Sequence, residues 1–303
     1  MTRAATKSNA LLDLSFVRRG GRTVIDRRLF AWPFVLTRGF YLDADRPDRL
    51  SLIVQTGSGA LHGEDRLVQR LDLGADTAVS LTNQGATSVH RADTAARASE
   101  IVLLQVARGA SLEYLPEPRI LFPDAALSQQ LDIDCAWDAS ALVVDAFTMH
   151  APDGAPHTFR ELESVVRLRR SGGDPLLIDR SRLLSPAPSF FRSARAFASA
   201  YLMPTSGGDL GAVQQQLTAA LSDTPDVYGA ASVMPEQAGL VVRIAAPDLR
   251  PVRAAFARIK QVYRLTLPAD RAARPAMAIT SVAPAAPETA RARPLPAATA
   301  SPW

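Results

Sequence analysis

The chain has 303 residues, of which 47% are hydrophobic and 21% are charged, and its formal net charge is +4. These values fit a globular protein with a sizeable core. Nucleic-acid-binding proteins usually show a clustered basic face, whereas the basic residues here are scattered along the chain, so we expect no nucleic-acid partner. The single cysteine, Cys135, excludes an intrachain disulfide. Because it falls on an apolar strand, we expect it to pack as a small core residue.

The N-terminal sequence gives no sign of secretion. The stretch "MTRAATKSNALLDLSF" lacks the apolar core of about 7–15 residues that a signal peptide carries. No apolar run approaches the ~20 residues that a membrane-spanning helix needs. We therefore expect a cytoplasmic protein with no membrane association.

Short apolar runs bounded by Gly, Pro, Asp or Asn fill the chain up to about residue 185. Examples are "LSLIVQTGSG", "DRLVQRLDLG", "EIVLLQVARG" and "SALVVDAFTMH". In the second run Leu67, Leu71 and Leu73 share one face at the period of a strand. Runs that recur about every ten residues are typical of an all-β sandwich, barrel or solenoid and not of alternating βαβ units. The sequence therefore predicts a mainly β fold.

Two helices are predicted in the C-terminal third. "GDLGAVQQQLTAALSDTP" places Leu210, Val213, Leu217 and Leu221 on one helical face. "PDLRPVRAAFARIKQVYRL" also shows helical spacing, and Asp248 stands where an N-cap is expected.

The termini differ in composition from the body of the chain. Residues 268–303 are dominated by Ala and Pro, and such a segment can bury little apolar surface. We therefore predict a flexible N-terminus over residues 1–10, a single β domain over residues 11–267 and a disordered tail over residues 268–303.

The sequence shows no recognised catalytic pattern. "GSGALHG" lacks the spacing and the following helix of a dinucleotide-binding loop, and neither a P-loop nor a GxSxG elbow occurs. No two of the four histidines form a tight ligand pair. His150 and His157 flank a loop that contains Asp153, and imidazole and carboxylate ligands suit nickel or zinc. Two interpretations are open: these three residues form a weak metal site, or the histidines are ordinary loop residues.

Five motifs, taken in order, carry a resemblance to a known family. They are "GGRTV" (20–24), "GALHGEDRL" (59–67), "LTNQGATSVHRAD" (81–93), "GASLEYLPEPRILFPDA" (109–125) and "GGDPLLIDR" (172–180). Their order and spacing resemble those of the urease accessory protein UreD, also called UreH. The resemblance runs from about Leu11 to the second predicted helix.

The resemblance implies a definite fold and function. The fold would be a single helix-like winding of many short β-strands, with two α-helices in the C-terminal third. UreD-like proteins are not enzymes but scaffolds for nickel insertion into apo-urease. They act with a helical accessory protein, UreF, which recruits the GTPase UreG. The resemblance thus implies no tightly bound cofactor and only transient contact with nickel.

Several positions depart from the family pattern, so the chain resembles a divergent member. Glu64 stands in place of a glycine, Ser88 and His90 in place of a Lys and a Tyr, and Val144-Asp145 in place of a Trp-Glu pair. Three functions remain open on these grounds: a working urease scaffold, a paralogue that no longer activates urease, and a metal-dependent enzyme of unknown type.

The resemblance also indicates candidate site residues. The polar residues that could pass a divalent ion without holding it tightly are His62, Glu64, Asp65, His90, Arg91, Glu113 and Asp145. The motif glycines, which we expect to take positive φ in turns, are Gly59, Gly63 and Gly85. The alternative interpretation is that Asp65 pairs with Arg91 and holds two turns together.

Overall fold

The computed structural model describes residues 9–150, 158–187, 193–205 and 207–267. Strands dominate these residues. They are β1 (Asn9–Arg19), β2 (Arg22–Phe30), β3 (Phe34–Leu36), β4 (Leu50–Thr56), β5 (Ala60–Leu61), β6 (Arg66–Leu73), β7 (Ala78–Asn83), β8 (Thr87–Val89), β9 (Ala98–Val106), β10 (Ser111–Leu115), β11 (Arg119–Leu121), β12 (Ala126–Cys135), β13 (Ser140–Met149), β14 (Glu161–Arg170), β15 (Leu177–Leu184), β16 (Ala196–Met203), β17 (Tyr228–Val233) and β18 (Leu240–Ala246). The helices are α1 (Leu210–Ser222) and α2 (Leu249–Leu265).

The central strands wind into coils that stack on one another. The strands β4–β5–β6, β7–β8–β9 and β10–β11–β12 form three such coils, and β13 and β14 continue the winding. Equivalent strands pair in parallel, for example β6 with β9 and β9 with β12. The predicted helix-like winding of short strands, with two late helices, is confirmed.

The two large sheets are completed by antiparallel strands. One sheet has the order β15-β14-β12-β9-β6-β1-β2, so that β2 and β15 form its edges. The other continues from β13 through the antiparallel strands β16, β18 and β17. Both helices pack beside this extension and share a second apolar cluster with it.

Alternation of side chains explains the core. In β6 the residues Leu67, Leu71 and Leu73 are buried, while Arg70 and Asp72 between them are exposed. A strand turns successive side chains to opposite faces, so period-2 leucines line the inside of a coil. Cys135 is fully buried at the end of β12, and burial raises the pKa of its thiol to about 12. The expectation of a packed cysteine is confirmed.

Asp248 caps helix α2 as expected. Its side chain accepts a hydrogen bond from the backbone N–H of Arg250 at 2.7 Å. We expect Asp248→Ala to lower the free energy of unfolding by about 1 kcal/mol, because one N–H at the helix start loses its partner. Urea denaturation measures this change, and Asp248→Asn, which keeps an acceptor, is the matched control. Equal losses in both variants would contradict the cap.

The expected domain boundaries remain a prediction. β1 begins at Asn9, whereas the proposed tail over residues 268–303 lies outside the described residues.

Candidate functional site

A row of polar side chains crosses the interior of the seven-stranded sheet. Glu100 on β9 lies opposite Gln129 on β12, which lies opposite Ser164 on β14, which lies opposite Ser181 on β15. Glu100 is buried, Gln129 and Ser164 are half-buried, and Ser181 is exposed. The row therefore runs from the core toward the β15 edge of the sheet.

A second row faces it from the other sheet. Asp145 on β13 lies opposite Ser199 on β16, which lies opposite Arg243 on β18. Exposure rises again toward the edge, where Arg243 reaches the surface. The side chain of Arg243 donates a hydrogen bond to Ser199 Oγ at 2.6 Å and forms an ion pair with Asp179.

The two rows meet at a cavity of about 510 Å³. Its polar lining includes Gln129, Asp145, Ser164 and Asp179, and aromatic rings complete its walls. Tyr228 also lines it and is 85% exposed, so the cavity reaches the surface at this end of the winding. A polar interior therefore connects with solvent here.

A buried ion pair occupies the inner end of the row. Arg119 Nε donates to Glu100 at 3.0 Å, and the Gln69 amide donates to the other carboxylate oxygen at 3.0 Å. Glu100 and Arg119 are each less than 5% exposed. The carboxylate thus has partners for both of its oxygens, as a buried charge requires.

Two carboxyl groups in the cavity differ in their environment. Burial raises the pKa of Asp145, as does the negative charge of Glu100, while Arg119 opposes both. Asp179 accepts a hydrogen bond from the Tyr201 hydroxyl at 2.6 Å. Burial therefore disposes the Asp145 carboxyl group to take up a proton.

The predicted histidines lie together, but outside the interior row. His62, His90, Phe122 and His150 each follow the last residue of a strand in successive coils, and their rings form a continuous stack. The His62 and His90 rings are 5.1 Å apart and tilted by only 13°. Parallel rings direct their in-plane nitrogen lone pairs side by side, so one ring must turn before both can bind a single ion.

Asp65 and Arg91 do not pair, so the alternative interpretation of their role is wrong. Asp65 instead accepts a hydrogen bond from the backbone N–H of His62 at 2.8 Å, so its carboxylate has a partner within its own turn. Arg91 is exposed and its backbone bridges to Ala125. The local turn competes successfully because Asp65 lies only three residues from its partner.

The motif glycines serve different purposes. Gly59 takes φ +61° as expected, but Gly63 and Gly85 do not take positive φ, and the exposed Glu64 does, at +77°. Gly63 is required by close packing, because a Cβ there would lie 2.8 Å from the Cβ of Ala92. The expectation for Gly63 and Gly85 is therefore wrong.

Glu113 belongs to a separate ionic cluster beneath helix α2. It pairs with Arg49 at 3.0 Å, with Lys260 at 3.2 Å and with Arg264 at 2.7 Å. Burial opposes its ionisation, yet Arg264, Arg49 and Lys260 together hold its pKa below the usual value. Asp43 contacts both Arg49 and Arg264. The cluster fastens the C-terminal half of α2 to β10.

The loop site is only partly visible. His150 ends the ring stack, while Asp153 and His157 lie outside the described residues. Among the residues that the structure describes, no group of three or more His, Cys, Asp or Glu side chains is placed to hold one metal ion.

Several residues of the two rows carry no sequence motif. Glu100, Gln129, Ser164, Ser199 and Arg243 were not predicted as site residues. The sequence nevertheless carries a signal, because Glu100 lies on the same face of β9 as the buried Val102, Leu104 and Val106. A charged residue at an inward position of a strand is uncommon unless it is paired.

The described residues thus define a β-solenoid protein with a polar interior that opens at one end. The sequence profile described as UreD urease accessory protein matches residues 8–278, and the chain belongs to this family.

Curated relatives agree with the assignment. The chain is 58% identical over 279 residues to urease accessory protein UreD 2 of Bradyrhizobium sp. strain ORS 278, covering 92% of this chain and 96% of the relative. It is 57% identical to UreD 2 of Bradyrhizobium sp. strain BTAi1, over the same number of residues and with the same coverage of both chains. It is 34% identical over 236 residues to UreD of Mycolicibacterium smegmatis, covering 78% and 83% of the two chains.

Within the described part of the chain, neither helix has the length and apolar character needed to cross a membrane.

Proposed function

We propose that this protein is a non-enzymatic scaffold in the maturation of urease, which assists GTP-dependent insertion of nickel into apo-urease in the cytoplasm. Its direct partners would be apo-urease and a UreF-like helical protein, and a UreG-like GTPase would act through the latter. Membership of the UreD family carries the proposal, since the relatives are named urease accessory proteins. The interior polar row is consistent with it.

The row offers weak, exchangeable ligands to a divalent ion in transit. In the cavity where the rows meet, Asp145 and Asp179 supply carboxyl oxygens, and Gln129 and Ser164 supply neutral ones. Nickel is the cargo in this view, and no residue has to hold it permanently. Of the candidate residues that the motifs indicated, only Asp145 belongs to the two rows, whereas His62 and His90 lie on the outer stack.

Co-expression tests the scaffold function. The urease structural and accessory genes of the source organism are expressed with and without this chain, and urease activity and bound nickel are measured. We expect both to depend on this chain, and the protein to co-purify with apo-urease and the UreF-like protein. Unchanged activity without it, or failure to co-purify, would contradict the proposal and favour a paralogue that no longer activates urease.

A substitution in the row tests the passage. We expect Asp145→Leu to lower the rate of nickel transfer to urease about tenfold, equivalent to about 1.4 kcal/mol, because leucine offers the ion no oxygen. Asp145→Asn keeps an oxygen and should retain most of the rate. His62→Ala, on the outer stack, should change it little. Co-purification serves as the folding control, and an Asp145→Leu protein that binds its partners and activates urease normally would exclude this path.

A further inference from the structure

Exposed apolar side chains concentrate at the N-terminal end of the winding, which the interior row does not reach. Eleven large hydrophobic residues of the described chain are exposed, and six of them fall within residues 29–42. These six are Leu29, Phe30, Trp32, Val35, Tyr41 and Leu42. Trp32 is 67% exposed and Leu42 is 74% exposed. We call the segment over residues 22–42 the cap.

The cap is held in place by the fold. Both of its strands lie at sheet edges, β2 in one sheet and β3 in the other. The Tyr41 hydroxyl donates to the backbone oxygen of Thr23 at 2.7 Å, and Arg28 donates to the backbone oxygen of Leu36 at 2.8 Å. The Trp32 ring lies over Gly57, where a Cβ would approach it to 2.3 Å. The exposed rings and leucines therefore belong to an ordered surface.

Positive charge concentrates in the same region. Residues 18–49 contain eight arginines and four aspartates, a local net charge of +4 that equals the net charge of the full chain. Three of the four aspartates form ion pairs: Asp26 pairs with Arg19, Asp48 with Arg18 and Arg46, and Asp43 with Arg49. The even distribution of basic residues along the sequence thus conceals a local excess.

Three arginines of the cap have no carboxylate partner among the described residues. Arg22, Arg28 and Arg38 instead lie over the rings of Tyr41, Phe30 and Phe40, at 5.0, 5.4 and 5.2 Å. Such contacts keep a guanidinium against an apolar surface and leave N–H donors available, apart from the one that Arg28 directs to Leu36. Apolar area bordered by these donors is complementary to a ligand that is apolar at its centre and acidic at its border.

We propose that the cap is a docking surface for a protein partner that presents an acidic amphipathic segment. Exposed apolar patches of this kind mark interaction sites, and aromatic residues and arginine are enriched at protein interfaces. A nucleic acid would engage the arginines but not the exposed leucines. The cap lies on the first strands of the winding and the cavity lies among the last, so a partner on the cap leaves the cavity mouth free.

A synthetic helical peptide provides the first test. Its leucines stand at i, i+3, i+4 and i+7, and glutamates flank them; a second peptide carries lysine in place of each glutamate. We expect the glutamate peptide to bind the full-length protein, with an affinity that falls as salt is raised, and the lysine peptide not to bind. Equal binding of both peptides, or binding of neither, would overturn the proposal.

Variants locate the binding surface. We expect the double substitution Leu29→Ser and Leu42→Ser, which we call the cap variant, to weaken peptide binding at least about tenfold. The matched control is Ile178→Ser with Leu184→Ser, two equally exposed residues of β15, and it should bind normally. Arg22→Gln with Arg38→Gln should remove most of the salt dependence without touching the apolar residues. Equal losses in the cap and control variants, or a wild-type dimer that the cap variant dissociates, would refute the assignment.

The physiological role of the cap rests on the proposed scaffold function, whereas the peptide measurement does not. Purified apo-urease and the UreF-like protein are therefore tested separately against wild type and the cap variant. Loss of one of the two complexes in the cap variant supports the proposal. If wild type binds the acidic peptide but neither protein, the scaffold function fails and the cap assignment stands. If wild type and cap variant bind both proteins equally, the cap assignment fails.

Discussion

Glu100→Gln is expected to lower the free energy of unfolding by about 3–5 kcal/mol, which is the cost of removing one partner from a buried ion pair. The Arg119 guanidinium keeps its charge in the core but loses the carboxylate that now accepts two of its N–H groups. The change conserves side-chain volume, so that a cavity does not contribute. Urea denaturation at neutral pH measures the effect.

Two controls separate the buried charge from other causes. Glu117→Gln removes the half-buried partner of the exposed Arg253, and pairs at the surface contribute less than about 1 kcal/mol. Glu100→Gln combined with Arg119→Gln should be more stable than Glu100→Gln alone, because no unpaired charge remains buried. If Glu100→Gln and Glu117→Gln cost the same, the pair does not stabilise the core as described.

Glu113→Gln is expected to cost about 3 kcal/mol at neutral pH, the lower end for a broken buried pair. Three cations lose their shared carboxylate, although glutamine keeps a hydrogen-bond acceptor. Helix α2 should loosen first, because two of the three cations that contact Glu113, Lys260 and Arg264, lie in its last turns. Urea denaturation gives the global cost, and amide exchange of α2 gives the local one.

The same carboxylate makes the advantage of wild type depend on pH. The pKa of Glu113 is lowered in the folded protein from its usual 4.5, so the unfolded chain binds the proton first as pH falls. The stability difference between wild type and Glu113→Gln should therefore be complete above pH 4.5 and disappear as pH drops through the folded-state pKa. Glu163→Gln is the comparison: Arg180 also lowers the pKa of Glu163, so its loss in acid should have the same direction, but as a pair at the protein surface it should amount to less than about 1 kcal/mol. A difference that persists unchanged in acid would contradict this account.

The strands and helices were largely predictable because their signals are local. Period-2 leucines in β6 and the aspartate before α2 each act within a few residues. The pairing of strands is not local in this sense. β1 is followed by β2 in the chain but has β6 as its other neighbour, and no short pattern specifies that arrangement.

The site was less predictable for the same reason. Leu67, Leu71 and Leu73 revealed the inward face of β6, and Gln69 lies on that face between them. A polar residue in an apolar register is visible in the sequence, but its partner Glu100 is identified only when β6 and β9 are stacked. Apart from Glu113 and Asp145, the candidate residues of the motifs lie instead in turns, where Asp65 accepts a hydrogen bond within its own loop and the histidines stack outside the core.

The parallel pairing of β1 with β6 also governs how the chain can be assembled during synthesis. Leu14 pairs with Leu71, so the hairpin of β1 and β2, complete at Phe30, waits while roughly 40 more residues are made up to the end of β6, several seconds at ordinary rates of translation. A lone two-stranded hairpin is only marginally stable in water. Each later coil meets a sheet edge that already exists. β1 and β2 must therefore wait for their third strand as no later coil does, and the delay falls on a hairpin whose second strand belongs to the cap.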